Sequence, residues 1–213
     1  MFLYVSFRAS LSIVYYPFVK RIVDIIGSLV GLFFFTLSFP FVGLLIKFET
    51  RGSILVKLER VSEGRVVQVY KFRSMVQGAH TLKPSLQHLN ERGDGPFFKI
   101  KDDPRLTRIG KLIRKFRIDE FPQFINVFKG ELSLVGPRPH EPNEVQSYPS
   151  EFQPLLEARA GITGLSQVSG ASSLPFLKEL ELDQYYLLHQ SFWLDLKIMA
   201  KTIGILFFDP TAV

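Results

Sequence analysis

Cysteine is missing from this chain altogether. A disulfide framework, a thiolate nucleophile and a cysteine-ligated zinc site are therefore excluded. Histidine is scarce: His80, His88, His140 and His189 lie far apart, without the spacing of a metal-ligand set, which argues against histidine-based zinc chemistry. No internal repeat is visible, and the glycine-rich stretch around Gly161 has no Walker-type lysine. Charge is also absent over a long run, from Ile25 to Ile46. What the chain has in excess is apolar and basic character. Of its 213 residues 46% are hydrophobic, 21 are phenylalanine, and the net charge is +6 with a pI near 9.5. A chain of this length buries a real core, as one domain with an appendage. Its basic balance points to anionic partners: nucleic acid, acidic lipid or phosphorylated substrates.

The uncharged run is long enough, as a helix, to cross a bilayer of about 30 Å. Two features argue against a simple span. Lys20 and Arg21 precede it and Lys47, Arg51 and Lys57 follow, so the positive-inside tendency keeps both ends on the cytoplasmic side. Pro40, beside Ser38 and Phe39, removes a helical donor from the Thr36 carbonyl and bends the axis, while nearby hydroxyls satisfy freed backbone groups. The expectation is a re-entrant helix over residues 20–50 with its break at Ser38 and Pro40. Residues 1–19, apolar and aromatic, read as an interfacial extension with no cleavage site for a signal peptide.

After Gly52, short β-like runs at Ile54–Val56 and Val66–Tyr70 surround a Ser62-Glu63-Gly64 turn. The second leads into Lys71-Phe72-Arg73-Ser74-Met75, where on a strand Lys71 and Arg73 share one face. Residues 76–96 read as loop or weak helix. Cations then crowd together at Lys99, Lys101, Arg105, Arg108, Lys111, Arg114, Lys115 and Arg117. A nucleic-acid groove is one reading, but no recognisable module accompanies them, and they lead straight into the acidic pair Asp119-Glu120. That arrangement suits a compact phosphate site.

Pro122 and the helical spacing of Phe121, Phe124, Ile125, Val127 and Phe128 before Gly130 put Asp119 at or just before a helix N-terminus. Backbone N–H groups there favour a carboxylate or phosphate, although a plain capping role would give the same pattern. Gln123 falls one turn beyond Asp119, on the same face. Arg138, held between Pro137 and Pro139, offers a rigid guanidinium for phosphate capture. Arg159 opens Ala160-Gly161-Ile162-Thr163-Gly164, whose glycines and hydroxyls make a candidate backbone cradle. Two further helical segments, Glu179–Tyr186 and Phe192–Phe208, close the chain. The second is apolar enough to lie against a membrane interface with Lys197 and Lys201 towards headgroups, or to pack on the core.

Taken together these residues resemble the bacterial sugar transferases known as monotopic polyprenol-phosphate phosphoglycosyl transferases. The resemblance runs from about Lys20 to Ile203. It is carried by Lys20-Arg21-Ile22-Val23-Asp24, the proline-broken helix, Lys71 to Met75, Asp103-Pro104-Arg105 and Arg114 five residues before Asp119-Glu120. It continues through Pro122-Gln123, Asn126-Val127, Gly130, Ser133 to Pro139, Gly161 to Gly164 and Asp195-Leu196-Lys197.

The resemblance implies a two-step reaction. Asp119 matches the nucleophile that attacks a nucleoside diphosphate sugar, usually a UDP-sugar, and releases UMP. Polyprenyl phosphate then takes the phosphosugar from the enzyme, which starts exopolysaccharide, capsule, O-antigen or glycoconjugate assembly. Glu120 matches the second acid of the pair, and Asp119 and Glu120 together would hold Mg²⁺. Lys71, Arg73, Arg114, Gln123, Arg138 and Arg159 would contact substrate and its phosphates. The implied setting is the cytoplasmic face of the bacterial inner membrane, with lipid as a partner, nucleic acid excluded and a homo-oligomer left open.

The expected fold is α+β and mostly helical. It comprises the extension over 1–19, the re-entrant helix over 20–50 and a compact cytosolic catalytic domain over 51–213, with a small β element and amphipathic interfacial helices. The transmembrane helices that larger relatives carry upstream are not expected. The chain departs from the family pattern at Ala160, Ser166 and Ala171, and at Phe39, which separates Ser38 from Pro40. The competing function is a non-catalytic membrane adaptor for polyprenyl phosphate or glycan-assembly enzymes, which has no need of two adjacent acids.

Overall fold

A computed structural model describes the backbone of residues 2–170 and 173–208, with side chains over 16–170 and 173–206. Ala171 and the side chains of the first 15 residues lie outside it. The chain opens with one uninterrupted helix, α1, Phe2–Glu49. The expected extension over 1–19 and the expected helix over 20–50 are thus parts of one continuous helix, and helical structure continues past both Pro17 and Pro40. The stretch Tyr16–Glu49 is long and apolar enough to cross a membrane by length and composition. Near Pro40 the hydroxyls act within the helix: Ser38 Oγ donates to the Phe35 carbonyl at 3.0 Å and Thr36 Oγ1 to Leu32 at 2.8 Å. The hydroxyls therefore bond neighbouring carbonyls and leave the Thr36 carbonyl, which the proline strips of its donor.

α1 has two faces. Asp24, Ser28, Gly31, Val42 and Ile46 are buried at helical spacing. Ile22, Ile26, Phe33, Phe34, Leu37, Phe41, Leu44 and Phe48 are exposed on the remainder. Both ends of the apolar run are tied to the same body. Lys20 Nζ lies 2.8 Å from Asp195, and Arg21 donates to the carbonyls of Val127 and Phe128, each at 2.8 Å. At the other end the Glu49 carboxylate accepts the N–H groups of Arg108 and Ile109 at 2.6 and 2.9 Å.

The hairpin β1 (Leu55–Ser62) and β2 (Arg65–Phe72) is antiparallel. Its two-residue turn has both Glu63 and Gly64 at positive φ, the mirror-type turn that matches strand twist. α2 (Arg108–Lys115) starts at Thr107, whose side chain accepts the Gly110 N–H. α3 (Gln123–Lys129) ends at Gly130 in the left-handed conformation. Phe72 of β2 and Ile113 of α2 form one apolar cluster with Val42 and Ile46 of α1, so this long apolar helix supplies part of the core behind the hairpin.

β3 (Ser133–Val135) runs parallel to β4 (Gly161–Thr163), pairing Ser133 with Gly161 and Val135 with Thr163. Short α4 (Pro142–Val145) and α5 (Leu165–Val168) flank them, and α6 (Phe176–His189) and α7 (Phe192–Phe208) complete the order. Close backbone contact locks the β3–β4 pair. A Cβ at Gly161 would lie 2.1 Å from the Gly136 nitrogen, so side chains at this junction would force the strands apart. The fold is mostly helical with two small two-stranded sheets.

Candidate active site

The acidic pair occupies a 3-10 turn, Ile118–Glu120, entered through Arg117 in the left-handed conformation. The following helix begins only at Gln123, with Pro122 at its cap. Asp119 therefore precedes the helix start by a full turn, and Gln123 belongs to the helix while Asp119 does not. The tight turn separates the fates of two adjacent carboxylates. Asp119 is buried, 6% exposed, and its carboxylate reaches Arg114 Nε only at 4.0 Å. Glu120 is half-buried and takes the Lys71 ammonium at 2.6 Å.

Their protonation differs accordingly. Burial pushes the Asp119 carboxyl above the ordinary carboxylate range; Lys71 and Arg114 pull it down, and the neighbouring Glu120 charge adds to the rise. Burial would raise Glu120 as well, but the Lys71 charge and hydrogen bond, with Arg117 and Arg138, outweigh it and hold that carboxyl low. One acid is thus bound to a lysine that holds its carboxyl low. The other is left without a close cation.

Each element places its side chain for a local reason. Lys71 sits near the end of β2, opposite Val56 in the hairpin register. Arg114, in the last turn of α2, donates Nε to Ser74 Oγ at 2.8 Å. Ser74 also fixes the start of that helix, since its carbonyl accepts the Thr107 N–H at 3.1 Å. Arg138 lies half-buried between its prolines, and its charge acts on Glu120. The structure therefore gathers Lys71, Arg114, Asp119 and Glu120, with the Arg138 charge acting on Glu120 as well as on Glu179 and His140.

Two of the expected substrate contacts are engaged elsewhere. Arg73 is buried, its guanidinium donating to the carbonyls of Arg51 and, at 2.9 Å, Thr50; it fastens the end of α1. Strand alternation misleads here, because Arg73 follows the last residue of β2. Arg159 pairs with Glu63 at 2.6 Å. It lines a cleft of about 670 Å³ with Lys20, Arg21, Asp24 and Tyr186, a lining that does not include the acidic pair. Gln123 is buried at the first position of α3.

Sequence reasoning missed the supports. Ser74 carries Arg114, and Asp183 on α6 accepts the Arg138 N–H at 2.9 Å. Asp24 accepts both the Ser133 hydroxyl and the Leu134 N–H, at 3.0 and 2.8 Å. A usable clue existed: Glu179, Asp183 and Tyr186 recur on one face of an otherwise apolar helix, and buried polar residues at that spacing need partners.

For a divalent cation the donor set fits in kind. Among the described residues no group of three or more His, Cys, Asp or Glu side chains gathers. Mg²⁺ needs only one or two carboxylates when substrate phosphates supply the rest. Asp119 and the adjacent Glu120 are the two carboxylates at this point.

Comparison with known proteins gives the family. The family model described as bacterial sugar transferase matches residues 15–209. The chain is 40% identical over 188 residues to a galactosyl transferase, CpsE, of Streptococcus agalactiae, covering 87% of this chain and 41% of that protein. It is 38% identical over 194 residues to a UDP-galactose-lipid carrier transferase of Erwinia amylovora, covering 88% and 40%. The exopolysaccharide production protein ExoY of Rhizobium meliloti is 32% identical over 188 residues, covering 86% and 83%. The chain spans about two fifths of the length of the first two relatives. A family model that matches nearly the whole chain fixes the assignment: this chain belongs to the bacterial sugar transferase family.

Proposed function

We propose that the chain transfers a sugar 1-phosphate from a nucleoside diphosphate sugar, a UDP-sugar, to undecaprenyl phosphate. An Asp119 carboxylate oxygen attacks the sugar-linked phosphorus. The bond to the bridging diphosphate oxygen breaks, UMP leaves with the electron pair, and an aspartyl-phosphosugar remains. An undecaprenyl phosphate oxygen then attacks the same phosphorus and the bond to Asp119 breaks. The products are undecaprenyl-diphospho-sugar and free carboxylate. The observation that carries this reading is the contrast within the pair: a buried Asp119 4.0 Å from its nearest cation beside a Glu120 held by Lys71 at 2.6 Å. An acid locked in an ion pair is a poor nucleophile; one held in a dry pocket without a close partner is available.

Lys71, Arg114 and Arg138 offset the repulsion between carboxylate and diphosphate. Mg²⁺, held by Asp119 and Glu120, would supply further charge neutralisation when bound. The names of the relatives support the substrate class. One is a UDP-galactose-lipid carrier transferase, and another, from Aeromonas hydrophila, is a UDP-N-acetylgalactosamine-undecaprenyl-phosphate N-acetylgalactosaminephosphotransferase. ExoY adds exopolysaccharide production as a setting.

The membrane reading belongs to the same proposal. α1 lies in the inner membrane as a monotopic element, entering from and returning to the cytoplasmic face, with 51–213 on that face. Its support is the attachment of both ends of the apolar run, Lys20-Arg21 and Glu49, to one polar body. A helix spanning the bilayer would separate those ends by about 30 Å of hydrocarbon.

UMP release by the protein in nanodiscs, with undecaprenyl phosphate, Mg²⁺ and a panel of UDP-sugars, tests the reaction. Release with one sugar, lost in Asp119→Asn, is expected. A folded protein that releases UMP with none of them would favour the adaptor function instead.

A further inference from the structure

α6 carries three buried polar residues on one face, and each ties down a different part of the molecule. Glu179 holds Arg92 at 2.7 Å. Tyr186 donates to Asp195 at 2.7 Å. Between them Asp183, 3% exposed, accepts the backbone N–H of Arg138 at 2.9 Å.

That last bond has no substitute. Pro137 and Pro139 have no N–H, so Arg138 contributes the only backbone donor of the tripeptide. The Pro137 carbonyl is already taken by Gly161 N–H at 2.8 Å, and Gly136 N–H donates to Thr163 at 2.9 Å. The tripeptide is therefore pinned to β4 on its upstream side and to α6 at Arg138 itself. The Arg138 side chain sets out from this fixed backbone, and its charge is felt at Glu120. Ser166, fully buried just past Gly164, also faces the Asp183 carboxylate. Its hydroxyl and N–H, together with the Arg138 N–H, draw the Asp183 pKa back down against the rise caused by burial, although neither Ser166 Oγ nor Asp183 Oδ1 closes a hydrogen bond. A single acid thus stands between the two loops that follow β3 and β4.

We infer that Asp183 is a positioning residue for the transfer reaction: its carboxylate fixes the Arg138 backbone, and so aims the guanidinium at the phosphates of the nucleotide-sugar donor. The inference rests on the proposed function, in which Arg138 contacts that donor. Ser166 faces the same carboxylate from the far side.

A double-mutant cycle on donor KM tests it, with amide hydrogen exchange at Arg138 as a readout independent of activity. Asp183→Leu keeps the shape and removes the acceptor. It is expected to raise KM for the UDP-sugar about tenfold with a smaller change in kcat, and to release the Arg138 amide to fast exchange while the Gly161 amide stays slow. In an Arg138→Ala background it should add almost nothing to KM, because the group it aims is gone. Asp183→Asn, which retains an acceptor oxygen, should keep the amide protected and KM within about twofold of the parent.

The inference is overturned by a parental KM in Asp183→Leu beside an Arg138→Ala that has lost affinity. It is also overturned by an Asp183→Leu penalty of equal size in both backgrounds. If Asp183→Leu does not fold, Asp183→Asn decides: a tenfold higher KM with the amide still protected would refute the inference. An unchanged KM in Arg138→Ala removes the premise instead, and no UMP release from the parent protein removes the proposed function before any variant is made.

Discussion

Lys71 Nζ lies 2.6 Å from Glu120 Oε1, and in the proposed reaction this bond leaves Asp119 as the acid free to react. Lys71→Met should leave Glu120 buried without its cation and Asp119 next to an uncompensated negative charge. Loss of UMP release by about 10²–10³-fold is expected, the scale for removing one preorganised electrostatic partner. A Lys71→Met variant with activity within twofold of the parent would remove the pair from the mechanism.

Asp119 acts as a carboxylate in the proposed reaction, and burial raises its pKa above the ordinary range. The rate should therefore fall as pH drops through that raised value, about tenfold per unit below it. Glu120 contributes to the rise, so in Glu120→Gln the residual rate should fall off at lower pH than in the parent. A shift in the opposite direction would contradict the coupling. Single-turnover UMP release across pH, at one fixed sub-saturating Mg²⁺ concentration, measures the profile.

The same shift predicts a stability change. A carboxyl with a raised folded-state pKa binds its proton more tightly folded than unfolded, so stability falls as pH rises from the ordinary carboxylate value through the raised one. Asp119→Asn, neutral throughout, should be inactive yet melt a few degrees higher than the parent at pH 8. A lower Tm would mean that the ionised Asp119 is stabilised by contacts other than those described.

Arg73 and Arg114 are expected to separate cleanly. Arg73→Met removes donors to the carbonyls at the end of α1 and should lower Tm by several degrees while leaving donor KM near the parental value. Arg114→Met should do the reverse. Thermal unfolding and KM on both variants test this; a Tm-neutral Arg73→Met with a raised KM would return Arg73 to the substrate site.

Gly110 offers a test of how tightly α2 is set. A Cβ there would lie 1.8 Å from the Ser74 carbonyl oxygen, backbone that cannot step aside. Gly110→Ala should cost about 2 kcal/mol or more and weaken activity through Arg114, which leans on the same serine. An alanine variant with parental Tm and rate would show that α2 has room to move.

Much of this architecture was legible in the sequence, and the reasons are local. The uncharged run, the Glu63-Gly64 turn, Pro122 and Gly130 are features whose physics acts within a few residues, and each marks a boundary close to where the structure puts it. Asp119, Glu120, Lys71, Arg114 and Arg138 were named because charge patterns survive in one dimension. The 3-10 turn under Asp119 was not, since Arg117 gives no outward sign of adopting positive φ. Arg73 and Arg159 were assigned to substrate because a cation near other cations looks available. Their partners, Thr50 and Arg51 for one and Glu63 for the other, are non-local in a way that spacing does not encode. Asp183 lies 45 residues from the backbone it holds.

The two-faced character of α1 has a practical consequence. Gly31 is so close to the Phe124 ring that a Cβ would sit 2.3 Å from it, and Val42 and Ile46 are walls of the same apolar cluster as Phe72 and Ile113. The helix is therefore a structural beam of the folded body as well as its proposed hold on lipid. Trimming it away to obtain a water-soluble enzyme for crystallisation or screening would expose Phe72 and Phe124, the residues directly after Lys71 and Gln123. A soluble form is better sought by recoding the outward residues, Ile22, Ile26, Phe33, Phe34, Leu37, Phe41 and Phe48, with polar ones and leaving the inward stripe untouched.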